Sequence, residues 1–244
     1  ESEPHQIGDL ASLPFPDYEV FAKEDGFKDV NSSIFGPKGK LVLPVMTGRG
    51  CPYRCTYCCN TPILEGWKTK KTFLRKYDPQ DMVDELVRLR DKFNVGYFEF
   101  WDELFLSNLK FVRAFFALYK EQLGLPFSIN SRVEVMNEEF CKTAAEAGCH
   151  TIWFGIESGD EEFRAKMLGR KMTNEQVIAA AETPVKEDGT LVGPRAFVRF
   201  RGDMVEVPAE DVDYIDISPR QLASVSTSLI PFLEHDDSSR ALMG

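Results

Sequence analysis

The feature of this sequence that most constrains its fold is a regular alternation of short apolar segments and amphipathic segments of helical period, beginning at Leu41. Residues 41–46, 97–101, 127–132 and 151–155 have the composition of buried strands. Helical segments with capping signals lie at 78–93, 108–123, 137–147 and 161–168, and a capping box at 173–176 begins another helix. Units of roughly 25–30 residues predict an α/β fold with a parallel sheet, a partial parallel (βα) barrel of about four βα units.

Composition excludes several classes of protein. The chain has 39 acidic and 29 basic residues and a net charge of −10, which is not the footprint of a nucleic-acid-binding surface. Its 43% hydrophobic content is that of a folded domain, and no apolar run is long enough to span a membrane. The N-terminus has no initiator Met and no apolar signal core, so we expect a cytoplasmic fragment that lacks upstream residues.

The pattern changes after Thr183-Pro184. Residues 195–200 alternate with period two, as a half-exposed antiparallel strand does, and 201–203 turn them into a strand at 204–207. Residues 212–217 alternate again before a helix that reaches about Leu229. This part is therefore expected to be a small β-rich segment that ends in a helix.

We accordingly divide the chain into an extended lead-in at 1–40, a core at 41–177 and the β-rich segment at 178–244. With about four units in the core, the edge of the strand at 151–155 should lie unpaired, which is costly for a parallel sheet. We expect the two parts not to form one cooperative domain, and the chain as given to be inactive or incomplete.

Three cysteines directly after the first strand, Cys51, Cys55 and Cys58, form a CxxxCxxC pattern. Such crowding indicates a metal site in a reducing compartment rather than a disulfide framework. Three thiolates on one loop can hold three irons of a 4Fe-4S cluster and leave the fourth iron open. The alternative is a zinc-binding module whose fourth ligand is one of four nearby or later residues, Cys59, Cys141, Cys149 or His150, although zinc sites usually have a second CxxC or HxxxH pair.

The segment from Thr47 to Cys58 resembles the radical S-adenosylmethionine enzymes. The resemblance covers about residues 8–177, and residues 9–18 resemble the linker of the cobalamin-binding subgroup, without the cobalamin domain itself. It implies a 4Fe-4S cluster on Cys51, Cys55 and Cys58, with S-adenosylmethionine chelating the open iron. Cobalamin would be used only by a longer parent protein.

The same resemblance implies a set of cofactor-binding residues at the carboxyl ends of the strands, the face where α/β sheets bind ligands. Asp102 and Glu103 match the acids that contact the amino group of the cofactor, and Arg132 ends the third strand. The other members are Tyr57 against the adenine, and Gly155, Glu157 and Ser158 beside the ribose and methionine portions. Acids in such positions are also common helix N-caps, so this structural alternative stays open.

The implied activity is reductive cleavage of S-adenosylmethionine to methionine and a 5′-deoxyadenosyl radical that acts on an unidentified substrate. An electron donor such as flavodoxin or ferredoxin and a small-molecule substrate are the implied partners. No membrane or nucleic-acid partner is expected for this part, and the residues do not identify a catalytic side chain.

The final part, about residues 178–244, resembles a second and unrelated protein. Residues 212–221, 228–237 and 240–244 are similar to the β subunit of bacterial RNA polymerase, just after its rifampicin-binding region. A chimera of two proteins is therefore expected, and the alternative function is that of an RNA polymerase β-subunit fragment in transcription.

Overall fold

The computed structural model describes residues 8–20, 40–67, 69–182, 195–200 and 203–205. The strands in these ranges are β1 Leu41–Val45, β2 Gly48–Arg49, β3 Arg75–Lys76, β4 Val95–Phe100, β5 Phe127–Ser131, β6 Cys149–Gly155, β7 Arg195–Phe200 and β8 Asp203–Val205. The helices are α1 Asn60–Glu65, α2 Lys70–Phe73, α3 Pro79–Phe93, α4 Leu109–Gln122, α5 Glu138–Glu146, α6 Glu161–Lys166 and α7 Asn174–Glu182. Single 3-10 turns lie at Leu10–Ser12, Phe105–Ser107 and Val133–Val135.

The main sheet has the order β1-β4-β5-β6-β7-β8, and its strands run parallel from β1 to β7. Helices α3, α4 and α5 connect β1 to β4, β4 to β5 and β5 to β6 in turn, so each new strand is added beside the previous one. This sequential parallel order is that of a partial (βα) barrel. The predicted α/β fold with a partial barrel is confirmed.

Helix boundaries follow the capping signals in the sequence. The Asp78 carboxylate accepts a hydrogen bond from the Gln80 amide at 2.9 Å, and Pro79 occupies the first turn of α3. Asn94 ends that helix in the left-handed conformation. Thr173 and Gln176 exchange backbone-to-side-chain hydrogen bonds at the start of α7, as a capping box requires.

An aromatic core fills the space between the sheet and α4. Phe100 lies at its centre, with its ring centroid 5.5 Å from Phe115, 6.1 Å from Tyr119 and 5.4 Å from Phe127. The aromatic residues that are spaced helically along α4 are all buried, as predicted: Phe111, Phe115, Phe116 and Tyr119. This packing holds β4 and β5 against their connecting helix and so positions the loops that follow both strands.

The expectation of an unpaired edge at β6 is wrong. Strand β7 pairs with it in parallel, with Thr151 opposite Arg195 and Gly155 opposite Arg199. The other edge of β7 pairs antiparallel with β8, so the antiparallel strand predicted for 195–200 is correct only on that side. Period-two alternation shows that the two faces of a strand differ in polarity, but it does not show whether the neighbouring strand runs parallel or antiparallel. The unpaired backbone groups at the open edge of β6 favour pairing with another strand.

The unpaired edge was the reason to expect that the two parts do not form one cooperative domain. Because β7, which follows residue 183, is a fifth parallel strand of the same sheet, that reason does not hold. The predicted domain limits at 40/41 and 177/178 stay predictions. The elements predicted at 212–217 and at 218–229 lie outside the described residues. Among the described helices, none is both long and apolar enough to cross a lipid bilayer.

Candidate metal centre and its surroundings

The cysteine loop leaves the sheet at the carboxyl end of β1. Its first residues form β2, which pairs antiparallel with β3, so that Gly48 lies opposite Lys76. Gly50 has φ 93°, and a Cβ atom there would lie 2.5 Å from the Phe73 carbonyl oxygen. Only glycine fits this combination of left-handed backbone and close approach. The chain turns here and delivers Cys51 to the end of the sheet.

The three predicted cluster thiols lie on this one loop. Cys55 is buried, whereas Cys51 and Cys58 are half-buried, and none of the three forms a disulfide. The Cys58 amide donates to the Cys55 carbonyl at 3.1 Å, and Asn60 Nδ2 lies 3.8 Å from Cys58 Sγ. Burial, with smaller contributions from Cys55 and Cys58, raises the pKa of the Cys51 thiol. Cys55 and Cys58 therefore lie close enough to Cys51 to disfavour its ionisation unless a cation binds the thiols.

The donor set fits an iron–sulfur cluster better than a single metal ion. Within the described ranges, no group of three His, Cys, Asp or Glu side chains converges as the ligands of one ion do. In a cubane cluster each thiolate binds a different iron, so the three sulfurs surround the cluster rather than meet at a point. The loop supplies three soft sulfur donors, Cys51, Cys55 and Cys58, one for each of three irons.

The other cysteines are placed as core or surface residues. Cys59 is exposed and precedes α1. Cys141 on α5 and Cys149 at the start of β6 are buried, and burial raises the pKa of the Cys141 thiol to about 11. Because Cys149 begins a parallel strand, it lies at the end of the sheet opposite the cysteine loop. Neither it nor Cys141 supports the alternative of a zinc site completed by a distant cysteine.

Arg132 directly contacts the cysteine loop from the end of β5. Its Nη1 donates to Cys55 Sγ at 3.3 Å, and its guanidinium carbon lies 3.8 Å from the centre of the Tyr53 ring. The other side of the guanidinium pairs with Glu134 at 2.5 Å and 3.2 Å. Burial alone would lower the pKa of Arg132, but the hydrogen bonds and charges of Glu134 and Cys55 hold it above its usual value. A permanent positive charge therefore lies against a predicted cluster ligand.

The two acids after β4 have different surroundings. Asp102 is 1% exposed, and its carboxylate accepts hydrogen bonds from the Thr47 amide at 2.9 Å, the Thr47 hydroxyl at 2.7 Å and Lys76 Nζ at 2.6 Å. Glu103 is exposed and accepts one bond, from the Gly50 amide, at 3.2 Å. Asp102 is thus engaged inside the protein, whereas the Glu103 carboxylate is accessible beside the cysteine loop.

A second arginine, Arg170, joins the remaining predicted residues. Its Nη1 donates to the Tyr57 hydroxyl at 3.0 Å and lies 3.6 Å from the Glu157 carboxylate, while its Nη2 donates to the Gly155 carbonyl. Arg170 is 5% exposed, and its Nε has no hydrogen-bond partner among the residues that the structure describes. Burial, opposed by the charge of Arg170, raises the pKa of Tyr57 to about 12, so this hydroxyl stays protonated at neutral pH.

The backbone after β6 is strained at Glu157, whose carboxylate lies near this arginine. Glu157 has φ 72°, which is rare for a residue with a side chain. The Ser158 carbonyl accepts a 2.6 Å bond from Arg164, which is fully buried, and the Ser158 hydroxyl accepts from the Asp160 amide at 3.1 Å. Gly155 and Glu157 are thus linked through Arg170 to Tyr57 of the cysteine loop, although they are about a hundred residues later in sequence. The Ser158 hydroxyl instead contacts the Asp160 amide at the start of α6.

Sequence reasoning missed several residues of this site, namely Tyr53, Lys76, Glu134, Arg164 and Arg170. Glu134, Arg164 and Arg170 are charged residues in or next to short helical segments, where a solvent-exposed position is the ordinary expectation. The Met167–Arg170 segment also docks on the cysteine loop, because the Thr56 amide donates to the Leu168 carbonyl at 3.2 Å and the Thr56 hydroxyl to the Met167 carbonyl at 2.6 Å. No local sequence pattern predicts such a long-range contact.

A sequential parallel sheet with a cysteine loop at the carboxyl end of its first strand is the architecture of a partial (βα) barrel. The model of the Radical SAM superfamily matches residues 45–188, which is more than half of the 244 residues. The chain belongs to this superfamily.

Solved structures of low sequence identity share the fold. The cobalamin-dependent S-adenosylmethionine radical enzyme OxsB, with aqua-cobalamin bound, is similar at a TM-score of 0.60 and 18% identity, covering 86% of this chain and 29% of that one. Its structure with aqua-cobalamin and S-adenosylmethionine bound is similar at a TM-score of 0.59, covering 94% and 34%. The chain spans about a third or less of the length of these neighbours, and the likeness establishes the fold alone.

The C-terminal part is similar to a different family, as predicted. The RNA polymerase beta subunit external 1 domain matches residues 172–218. The DNA-directed RNA polymerase subunit beta of Methylacidiphilum infernorum is 51% identical over 90 residues, 32% of this chain and 7% of that protein. The subunit of Clostridium kluyveri is 56% identical over 71 residues, 29% and 6%. The chain spans only a small fraction of these relatives, and it combines two unrelated similarities in one sequence.

Proposed function

We propose that this chain is part of a radical S-adenosylmethionine enzyme that binds a 4Fe-4S cluster through Cys51, Cys55 and Cys58. The observation that carries the proposal is the placement of three free thiols on one loop at the carboxyl end of β1, with the Arg132 guanidinium against one of them. Cys51, Cys55 and Cys58 would hold the cluster, which would supply one electron for reductive cleavage of S-adenosylmethionine to methionine and a 5′-deoxyadenosyl radical.

The protein's own groups position the cofactor and limit access of water. Glu103 rather than Asp102 would accept the cofactor's amino group, because Asp102 is 1% exposed and already accepts three hydrogen bonds from Thr47 and Lys76. Glu157 and Ser158 would lie beside the ribose and methionine portions, and Tyr57 beside the adenine. Arg170 supports this arrangement because it contacts Tyr57, Gly155 and Glu157 together.

The remaining features of the function follow from this proposal. The substrate is an unidentified small molecule, and a flavodoxin or ferredoxin supplies the electron. Thiolate ligation requires a reducing compartment, which favours the cytoplasm. Cobalamin would take part only in a longer parent protein.

The direct test is metal analysis of the full chain after anaerobic purification and reconstitution. We expect about four irons and four sulfides per chain and visible sulfur-to-iron charge-transfer absorption. Separate Cys51→Ala, Cys55→Ala and Cys58→Ala variants should lose this absorption, because a two-thiolate loop holds a cubane poorly. Cys59→Ala is the matched control and should keep it. Equal loss in the control, or stoichiometric zinc in place of iron, would refute the assignment.

A second function, that of an RNA polymerase β-subunit fragment, is favoured by the identity of the C-terminal part to the polymerase relatives. We propose that this part was joined to a radical S-adenosylmethionine core near the overlap of the two family matches, residues 172–188. Sequencing the source locus across codons 170–190 tests the join. A continuous reading frame there supports a natural fusion, and its absence shows that the two parts belong to separate proteins.

A further inference from the structure

The Arg132 side chain is buried between the cysteine loop and an acidic partner. It is 6% exposed at the end of β5, and its Nη1 donates to Cys55 Sγ at 3.3 Å. The Tyr53 ring lies 3.8 Å from its guanidinium carbon. Hydrogen bonds and positive charge at a cluster's cysteine sulfurs are among the protein's means of setting a cluster's reduction potential. Arg132 supplies both to the same sulfur.

Glu134 opposes this charge on the other side of the guanidinium. Its two carboxylate oxygens accept from Arg132 Nη2 at 2.5 Å and from Nε at 3.2 Å, so the pair is bidentate. Burial would raise the pKa of Glu134, but the hydrogen bond and charge of Arg132 outweigh it and hold that pKa below its usual value. The carboxylate is therefore charged at neutral pH and offsets part of the arginine's field at Cys55.

We infer that the Arg132–Glu134 pair sets the reduction potential of the cluster, with Arg132 raising it and Glu134 lowering it. The inference rests on the proposed function, because it requires the cluster on Cys55. One-electron reduction adds one negative charge to the cluster, with no bond formed or broken, and an external low-potential reductant supplies the electron. A guanidinium that donates to a ligand sulfur stabilises the reduced form, and a nearby carboxylate destabilises it.

This assignment gives Arg132 a role different from that of a cofactor ligand. Three of its donors are already directed at Glu134 and Cys55. Its effect should therefore be present in the reconstituted protein before S-adenosylmethionine is added. A residue that acted only by binding the cofactor would leave the potential of the cofactor-free cluster unchanged.

The test is a redox titration of the reconstituted full chain with dithionite, in which the electron paramagnetic resonance signal of the reduced cluster gives the midpoint potential. Arg132→Gln should shift the midpoint to a more negative value, and Glu134→Gln should shift it to a more positive value. The control is Arg113→Gln, which breaks the exposed pair of Arg113 with Glu139 and should leave the midpoint unchanged. Iron and sulfide content is measured for every variant.

Opposite shifts in the two variants support the inference, because a general loosening of the site would move both midpoints in the same direction. Shifts of the same sign, or no shift in Glu134→Gln, would overturn it. If Arg132→Gln holds no cluster, its midpoint potential cannot be measured, and the sign of the shift in Glu134→Gln then decides. Arg132→Lys, which keeps the positive charge, should in that case still hold the cluster. If the wild-type chain binds no iron, both this inference and the proposed function are overturned. If the cluster binds but its midpoint potential is unchanged in Arg132→Gln and Glu134→Gln, only the inference is overturned.

Discussion

Replacing Asp102 by alanine should destabilise the protein strongly, because this carboxylate is a structural group. It is 1% exposed and lies where the end of β4 meets the end of β1 and the β2–β3 ribbon. Three hydrogen bonds reach it, two from Thr47 and one from Lys76. The Lys76 ammonium is enclosed as well, with the rings of Phe105 and Phe111 each 5.1 Å away.

The magnitude follows from what the substitution leaves behind. Removing one partner of a buried ion pair costs about 3–5 kcal/mol, because the other charge stays buried without compensation. The Thr47 amide also loses its acceptor, at about 1–3 kcal/mol, although losses within one network are not additive. We therefore expect Asp102→Ala to lower the free energy of unfolding by about 4 kcal/mol. A Lys76→Met/Asp102→Asn double variant removes both charges, and its loss should be about 1–3 kcal/mol smaller than the sum of the losses in the single variants Lys76→Met and Asp102→Asn.

The assay is urea unfolding of the purified chain, followed by the fluorescence of its tryptophans, which include Trp101 beside the substituted site. Glu103→Gln is the matched control, because this exposed neighbour should change the unfolding free energy by no more than about 0.5 kcal/mol. It should instead weaken S-adenosylmethionine binding. A loss below about 1 kcal/mol in Asp102→Ala, or a loss in the double variant equal to the sum of its two single losses, would refute the structural role.

Two further variants test the geometry around the cysteine loop. Gly50→Ala introduces a side chain at φ 93° and 2.5 Å from the Phe73 carbonyl oxygen. The free energy of unfolding should therefore fall by about 1–2 kcal/mol or more, and the iron content per chain should drop. An unchanged iron content would contradict the tight turn. Arg170→Lys keeps the charge but cannot bridge Tyr57 and Gly155, so S-adenosylmethionine should bind about tenfold more weakly, a loss of about 1.4 kcal/mol. Calorimetric titration of the reconstituted protein measures this, and wild-type affinity would exclude a positioning role for Arg170.

The fold of the core could be predicted because its signals are local. Asp78 and Asn108 cap their helices as their side chains and positions indicated, and the apolar spacing of α4 placed its aromatic residues in the core. Strand β7 was assigned the wrong neighbour on one side, since pairing direction depends on which edge is available in the folded sheet. Alternation in 195–200 carries no information about that edge.

The site could be predicted only in part, for a similar reason. Motif position indicated Cys51, Cys55 and Cys58, and the structure places their thiols on one loop. Whether Asp102 or Glu103 is accessible depends on Lys76, and that contact forms only when the β2–β3 ribbon folds over the end of β4. Arg170 was missed because its partners lie far away in sequence. Buried cations of this kind are recognised by their contacts and not by their local pattern.

The central claim is that three cysteines hold a cluster whose open iron binds S-adenosylmethionine. The measurement that tests it most directly is the electron paramagnetic resonance spectrum of the dithionite-reduced, reconstituted chain, recorded before and after addition of S-adenosylmethionine. We predict a changed spectrum, because the open iron gains a chelating amino and carboxylate ligand, and a higher cofactor requirement in Glu103→Gln. A spectrum that stays the same at saturating cofactor, in protein that holds a full complement of iron and sulfide, would contradict the claim.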